Sequence, residues 1–256
     1  MVEEVAGTHA NVTTIVGPDA DAHLYAPNIS DALAVEKADV IFVNGMGFET
    51  WSAKLIETSN TKASVFVATD GVTPLLVEGE IDPHAWNSLT NGIIYVTNIE
   101  KALSKASPAH APSFKANADA YRAKLNNLHN RALSDIAKLP KENRVVVTAH
   151  DAFGYLANTY GLTFLAPQGI DTEAAPSARE VADLIDFLKK RKAGALFVEN
   201  IANGDLVAQI SRETGIEIGG QIYSDALSVK GSPATSYLAM FAHNLTLITQ
   251  KLSSSN

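Results

Sequence analysis

The sequence predicts an α/β protein of two lobes, each a parallel sheet flanked by helices, joined by one long rigid helix. Three observations predict it. Short β-branched apolar runs, bounded by polar residues or glycine, recur along the chain as buried parallel strands do. Helical patterns alternate with these runs, which implies sheets covered on both faces. One stretch, residues 112–139, has no glycine or proline between its bounds and divides the 256-residue chain into halves of similar size.

The expected strands are residues 12–16, 40–43, 65–68, 145–148 and 195–198. Ser30 is placed to cap a helix over 31–37, and Ser177 one over 178–191, because a hydroxyl there can accept an orphan backbone N–H. In the stretch 112–139, Leu125, Leu128, Ala132 and Leu133 fall near helical spacing and are followed by Ile136 and Leu139. That makes a helix of some seven turns at ~3.6 residues per turn. The expected organisation is a first lobe over 1–108, a linking helix over 109–139, and a second lobe over 140–256.

Composition removes several function classes. Apolar residues make up 46% and charged residues 19%, ordinary for a soluble globular chain and too apolar for disorder. The net charge is −8, and no segment gathers Lys and Arg densely enough to neutralise phosphates, so nucleic acid is not an expected partner. There is no cysteine, so disulfides and thiolate metal sites are excluded and His, Asp and Glu remain as metal ligands. No apolar run approaches the ~20 residues that span a bilayer.

Four residues stand in short polar signatures on four different segments. They are His23 in Asp-Ala-His-Leu-Tyr-Ala-Pro, His84 in Asp-Pro-His-Ala-Trp, His150 in Thr-Ala-His-Asp-Ala-Phe, and Asp225 in Tyr-Ser-Asp-Ala-Leu-Ser. Three neutral imidazoles and one carboxylate can complete a closed tetrahedral shell for a borderline-soft cation such as zinc. Each also has a plainer reading. His23 lies in a loop, where an unengaged surface histidine is common. His84 follows Pro83, a residue suited to the first turn of a helix, where the imidazole would be structural. His150 follows 145–148, the position past a strand where sites in α/β sheets collect. Asp225, past another extended segment, is by type a helix cap. His9, His110, His129 and His243 lack such settings and read as structural or solvent-facing.

Those segments resemble the cluster A-I substrate-binding proteins of ABC importers for zinc and manganese. The run from Ile15 through His23 to Pro27 resembles that family's first-ligand loop, and the run from Ala38 to Glu49 the strand and turn after it. Asp82-Pro83-His84-Ala85-Trp86 resembles the second-ligand segment, and the run from Thr148 through His150 to Gly161 the third. Residues 176–180, residues 196–199 and Tyr223-Ser224-Asp225 resemble parts of the C-terminal lobe, the last carrying the fourth ligand. The resemblance implies an exported, periplasmic, monomeric binder that delivers Zn(II), its transported ligand, to an ABC permease, with a metallochaperone as a further partner and no catalytic step. Manganese members of the family usually carry Glu where this chain has His150, and the additional imidazole favours zinc. A manganese-binding member of the family is the nearest alternative. A zinc hydrolase built on the three His, with Asp151 or Glu199 as base, and a metal-fold adhesin are the alternatives from other classes. Three departures accompany the resemblance. Family members usually begin with a strand and a helix ahead of the segment resembling Val2 to Gly7, and with that strand missing here the expectation from the resemblance is that Met1 lies inside the natural chain. No His-rich loop precedes Asp82. Trp86 is followed by Asn87-Ser88 rather than Leu-Asp.

Overall fold

The computed structural model describes residues 1–190 and 194–254. The chain divides into two compact units: Met1–Gly17 with Ala22–Leu128, and Pro18–Asp21 with everything from His129 on. Both are α/β, as the alternation of runs predicted.

The first unit opens with α1 (Val2–Ala6) and α2 (Ile29–Glu36), then β1 (Val40–Val43), α3 (Ser52–Thr58) and β2 (Ser64–Val67). β1 and β2 pair in parallel, Val40 against Ser64 and Val43 against Val67. A small antiparallel hairpin follows, β3 (Leu76–Val77) and β4 (Glu80–Ile81). Its two turn residues, Glu78 and Gly79, both have positive φ (53° and 94°), the two-residue turn whose twist matches a hairpin. The short acidic stretch before Asp82 is therefore a tight turn. A 3₁₀ turn at Ala85–Asn87 leads into α4 (Leu89–Ala106), which buries Leu89, Tyr95, Val96, Ile99 and Leu103 on its core face.

Two expectations for this unit need correction. Residues 12–16 form no strand; the sheet here has two strands, and 12–16 adds no ladder to either. β-branched composition alone does not make a strand without an edge to pair with. α2 starts earlier than Ser30 implied. Its cap is Asn28, whose side chain accepts from the N–H groups of Ser30 and Asp31, while the Asp31 carboxylate accepts the Asn28 N–H at 2.8 Å. This capping box satisfies orphan donors in both directions, which one serine hydroxyl would not.

The long helix is α5 (Ala111–Ala137), 27 residues or about 40 Å at ~1.5 Å per residue, entered from a 3₁₀ turn at Pro108–His110. Phe114, Ala118, Tyr121, Leu125, Leu128, Ala132 and Ile136 are buried along it at three- and four-residue steps. Leu133 lies one residue off that stripe and is exposed, contrary to its expected core role. The division between the units falls within this helix, after Leu128.

The second unit carries a 3₁₀ turn at Lys141–Asn143, β5 (Val145–Val147), α6 (Gly154–Tyr160), β6 (Thr163–Leu165), α7 (Ala178–Lys190), β7 (Ala195–Glu199), α8 (Asp205–Thr214), β8 (Ile218–Ile222) and α9 (Tyr237–Ser254). Its sheet is parallel throughout, in the order β6-β5-β7-β8. Val147, Leu196, Val207 and Ile210 pack with Val181, Ile185 and Leu188 of α7 in one buried cluster. Ser177 caps α7 as expected: Glu180 N–H donates to its hydroxyl at 3.2 Å, and Ser177 N–H donates to the Glu180 carboxylate at 2.7 Å. Position 191, the expected end of that helix, lies outside the described residues. No helix among the described residues is long and apolar enough to cross a membrane.

Candidate metal centre

In the first unit, the turn after β1 builds the support for His84. Gly45 has φ +87°, and a Cβ there would lie 2.5 Å from Val67, so only glycine fits. Asn44, just before it, ties four segments together. Its carbonyl accepts the Thr69 hydroxyl at 2.7 Å and its side-chain amide donates to the Pro83 carbonyl at 3.0 Å. Its amide oxygen accepts the Tyr95 hydroxyl at 2.5 Å, and Glu49 accepts its backbone N–H. Burial pushes the Glu49 carboxyl up, with hydrogen bonds from Asn44 and Gly45 opposing.

The result is a fixed position for the Asp82-Pro83-His84 segment. His84 is fully buried; it is the residue before the 3₁₀ turn and not inside a helix. Asp82 Oδ1 accepts both the His84 backbone N–H at 2.9 Å and the His84 Nδ1 at 2.8 Å. With Nδ1–H donating to the carboxylate, the tautomer inferred from this bond leaves a lone pair on Nε2. That Nε2 faces His23 Nε2 at 3.3 Å. His23 is also buried, with Phe48 edge-on at 4.8 Å and Trp86 packed edge-on to both Phe48 and His84. Trp51 donates its indole N–H to the Ala22 carbonyl at 2.8 Å, holding the backbone directly ahead of His23.

The second unit presents a pair of its own. His150 lies three residues past β5, and Glu199 ends β7, the neighbouring strand. In the order β6-β5-β7-β8 this is the switch point, where successive connections run to opposite sides and ligands gather beyond the strand ends. Glu199 Oε1 accepts the backbone N–H groups of Ala149 and His150 at 2.8 and 3.0 Å, and Oε2 lies 2.6 Å from His150 Nδ1. His150 Nε2 lies 3.1 Å from Asp225 Oδ2. Asp225 follows β8 and caps no helix; the segment before it is held by Asn244, whose side chain bonds the backbone N–H and carbonyl of Tyr223 at 3.0 and 2.7 Å. Burial works against an imidazolium at His150, but the charges of Glu199 and Asp225 outweigh it and hold its pKa well above the ordinary histidine value.

The fold thus brings His23 together with His84, and His150 together with Asp225. The other histidines are placed as expected for structural groups. His9 stacks on His110 at 4.3 Å, His129 Nδ1 bonds the Tyr160 hydroxyl at 3.0 Å, and His243 Nε2 bonds the Gln221 carbonyl at 3.0 Å. Sequence reasoning did not assign Asp82 and Glu199 their parts behind the two imidazoles. Asp82 could have been found, since it lies two residues from His84; Glu199 is 49 residues from His150 and only the strand order reveals it. Asn44 carried one usable signal, its position just past a strand.

Residues 1–251 match the family described as ZnuA, zinc-uptake complex component A, periplasmic. The chain belongs to the ZnuA family. This family consists of extracytoplasmic metal-binding substrate-binding proteins of ABC transporters, not enzymes. Among ZnuA-family relatives, the manganese-binding lipoprotein MntA of Bacillus subtilis is 35% identical over 98% of this chain and 85% of its own length. The iron-binding protein YfeA of Yersinia pestis is 35% identical over 97% of this chain and 81% of its own. The solved periplasmic zinc-binding protein TroA of Treponema pallidum superposes with a TM-score of 0.93 at 29% identity, covering 98% of this chain and 94% of that one. Relatives of this ZnuA-family chain are thus named for three different metals.

Proposed function

We propose that the protein captures one zinc ion with His23, His84, His150 and Asp225 and delivers it to the membrane permease of an ABC importer. The observation that carries this reading is the spacing within each pair. In a tetrahedral site the ligand atoms stand about 1.63 bond lengths apart, so bonds of ~2.0–2.1 Å place them ~3.3 Å from one another. The His23–His84 nitrogens are 3.3 Å apart and the His150–Asp225 atoms 3.1 Å. Each pair has the dimension of one edge of a tetrahedron, and two opposite edges complete the shell.

The support behind the ligands favours the same reading. A carboxylate on Nδ1 of His84 and another on Nδ1 of His150 fix those two rings and raise their basicity at Nε2, the arrangement that outer-shell partners impose in histidine metal sites. Three nitrogens and one carboxylate form a softer set than manganese prefers, which is the ground for zinc. The manganese alternative is favoured by a different observation, the naming of the Bacillus subtilis relative. A hydrolase is disfavoured by Glu199, whose two oxygens are committed to Ala149, His150 N–H and the His150 ring. Export, a monomeric state and a metallochaperone partner belong to the same proposal. The test is a competition titration with zinc and manganese on protein purified without added metal. Zinc should bind at one equivalent and displace manganese; preferential manganese retention would overturn the choice of metal.

A further inference from the structure

The chain passes between its two units three times, not only in α5. It leaves the first unit after Gly17, contributes Pro18–Asp21 to the second, and returns at Ala22, one residue before His23. Those four residues form a strap fastened to the second unit at several points. Asp19 donates its backbone N–H to the Leu227 carbonyl at 2.9 Å. Its carboxylate accepts the Asn200 side-chain amide on Oδ1 at 2.9 Å and the Ser228 hydroxyl on Oδ2 at 2.8 Å. Asn200 also donates to the Ala226 carbonyl at 3.2 Å, and the Thr172 hydroxyl donates to Asp21 at 2.6 Å. Asp19 stands at φ 56°, a left-handed conformation that a short polar side chain tolerates.

The partners of Asp19, and of the Asn200 amide it holds, are informative. Asn200 is the residue after Glu199, which holds His150, and Ala226, Leu227 and Ser228 are the residues after Asp225. We propose that Asp19 is a positioning residue for metal binding: it fastens the loop after Asp225 and the loop after Glu199 to the strap that leads into His23. Through this single side chain, three of the four proposed ligands are set by segments that Asp19 anchors. The inference rests on the metal reading above for its function, but the anchoring itself stands on contacts within one unit. Asp19 touches no ligand atom and acts only by holding loops.

Three variants separate the carboxylate from the backbone. Asp19→Asn keeps an acceptor for Asn200 and a polar partner for Ser228. Asp19→Gly removes the side chain but suits the left-handed backbone, and Asp19→Ala removes the side chain and adds strain. Two readouts are taken on the full chain: amide hydrogen exchange of residues 19–23 and 225–228 without metal, and the rate of zinc release measured with a chelator. Asp19→Gly and Asp19→Ala should both expose those amides and speed zinc release by about tenfold, roughly the effect of one net hydrogen bond, while Asp19→Asn stays near the unaltered protein. Near-normal exchange in Asp19→Gly would overturn the anchoring. Faster exchange with unchanged zinc release would overturn the positioning role. If the unaltered protein binds no metal at all, the metal reading and the positioning role fail together, and the exchange data alone decide whether Asp19 anchors the strap.

Discussion

The two units solve the same problem, presenting a buried imidazole with its Nε2 toward a second candidate ligand, by different means. In the second unit the scaffold is a four-stranded parallel sheet, and His150 is held where backbone hydrogen bonds and the Glu199 carboxylate coincide at the switch point. In the first unit the sheet has only two strands, and the positions of His23 and His84 come from side chains: the Asn44 junction, the Asp82 carboxylate, and the packing of Phe48, Trp51 and Trp86. The pairs differ in charge as well. The first couples two imidazoles to one carboxylate, Asp82; the second couples one imidazole to two, Glu199 and Asp225. The four-stranded sheet carries two carboxylates on one buried imidazole, whereas the lighter scaffold carries one carboxylate on two imidazoles boxed in by aromatic side chains.

The largest effects should come from the ligands and should not distinguish the units. His150→Ala and His84→Ala should each weaken zinc binding by more than the ~10–100-fold typical of losing an outer-shell partner, as read by competition with a chelator. His110→Ala and His129→Ala should leave it unchanged. A His150→Ala variant with normal affinity would break the assignment.

The supporting carboxylates should sharpen the comparison. Glu199→Gln should reduce zinc affinity by ~10–100-fold, and Asp82→Asn by about tenfold, because Glu199 also anchors two backbone N–H groups whereas Asp82 anchors one. Equal losses would show that the extra backbone bond contributes nothing to ligand placement.

Charge predicts a pH dependence at His150 of the second unit. The raised pKa of His150 means that zinc must displace a proton there, so affinity falls as pH drops through that raised value, above the ordinary ~6.5 of histidine. In the metal-free protein the sign is opposite for stability. The imidazolium contributes fully below the ordinary histidine pKa, and its contribution is lost as pH rises through the raised one. Calorimetry in buffers of different ionisation enthalpy should record proton release near neutral pH, and Glu199→Gln should move that release to lower pH. Proton release identical in Glu199→Gln would contradict the assigned cause of the shift.

Much of this was legible in the sequence, unevenly between the units. The strand before His150 follows from three consecutive valines, and the long helix from its spacing and its freedom from Gly and Pro after Pro112. The first unit was harder. Residues 12–16 have strand composition but no ladder, and the capping box at Asn28 outcompetes the serine two residues later. Both misses concern local signals that tertiary or reciprocal bonding overrides. The four ligand candidates were visible because each has a local signature. Glu199 was visible only as an acidic residue ending a run, since its partner is 49 positions away. The strap at 18–21 was not legible at all, because sequence continuity assigns it to the unit it interrupts.

The smallest expected effect lies on the lighter scaffold. Trp51→Phe keeps an aromatic ring but removes the bond to the Ala22 carbonyl, and should cost about 0.5–1.5 kcal/mol of stability in chemical denaturation with less than a tenfold loss of zinc affinity. A larger loss of affinity than of stability would show that the first unit depends on this bond for ligand placement itself.

The claim that both pairs hold one ion is tested most directly by zinc stoichiometry and affinity in two pair-deleted variants, His23→Ala with His84→Ala, and His150→Ala with Asp225→Ala, beside the unaltered protein. The account predicts one tight equivalent in the unaltered protein and none in either variant. Two equivalents in the unaltered protein, or one tight site surviving in either variant, would contradict it.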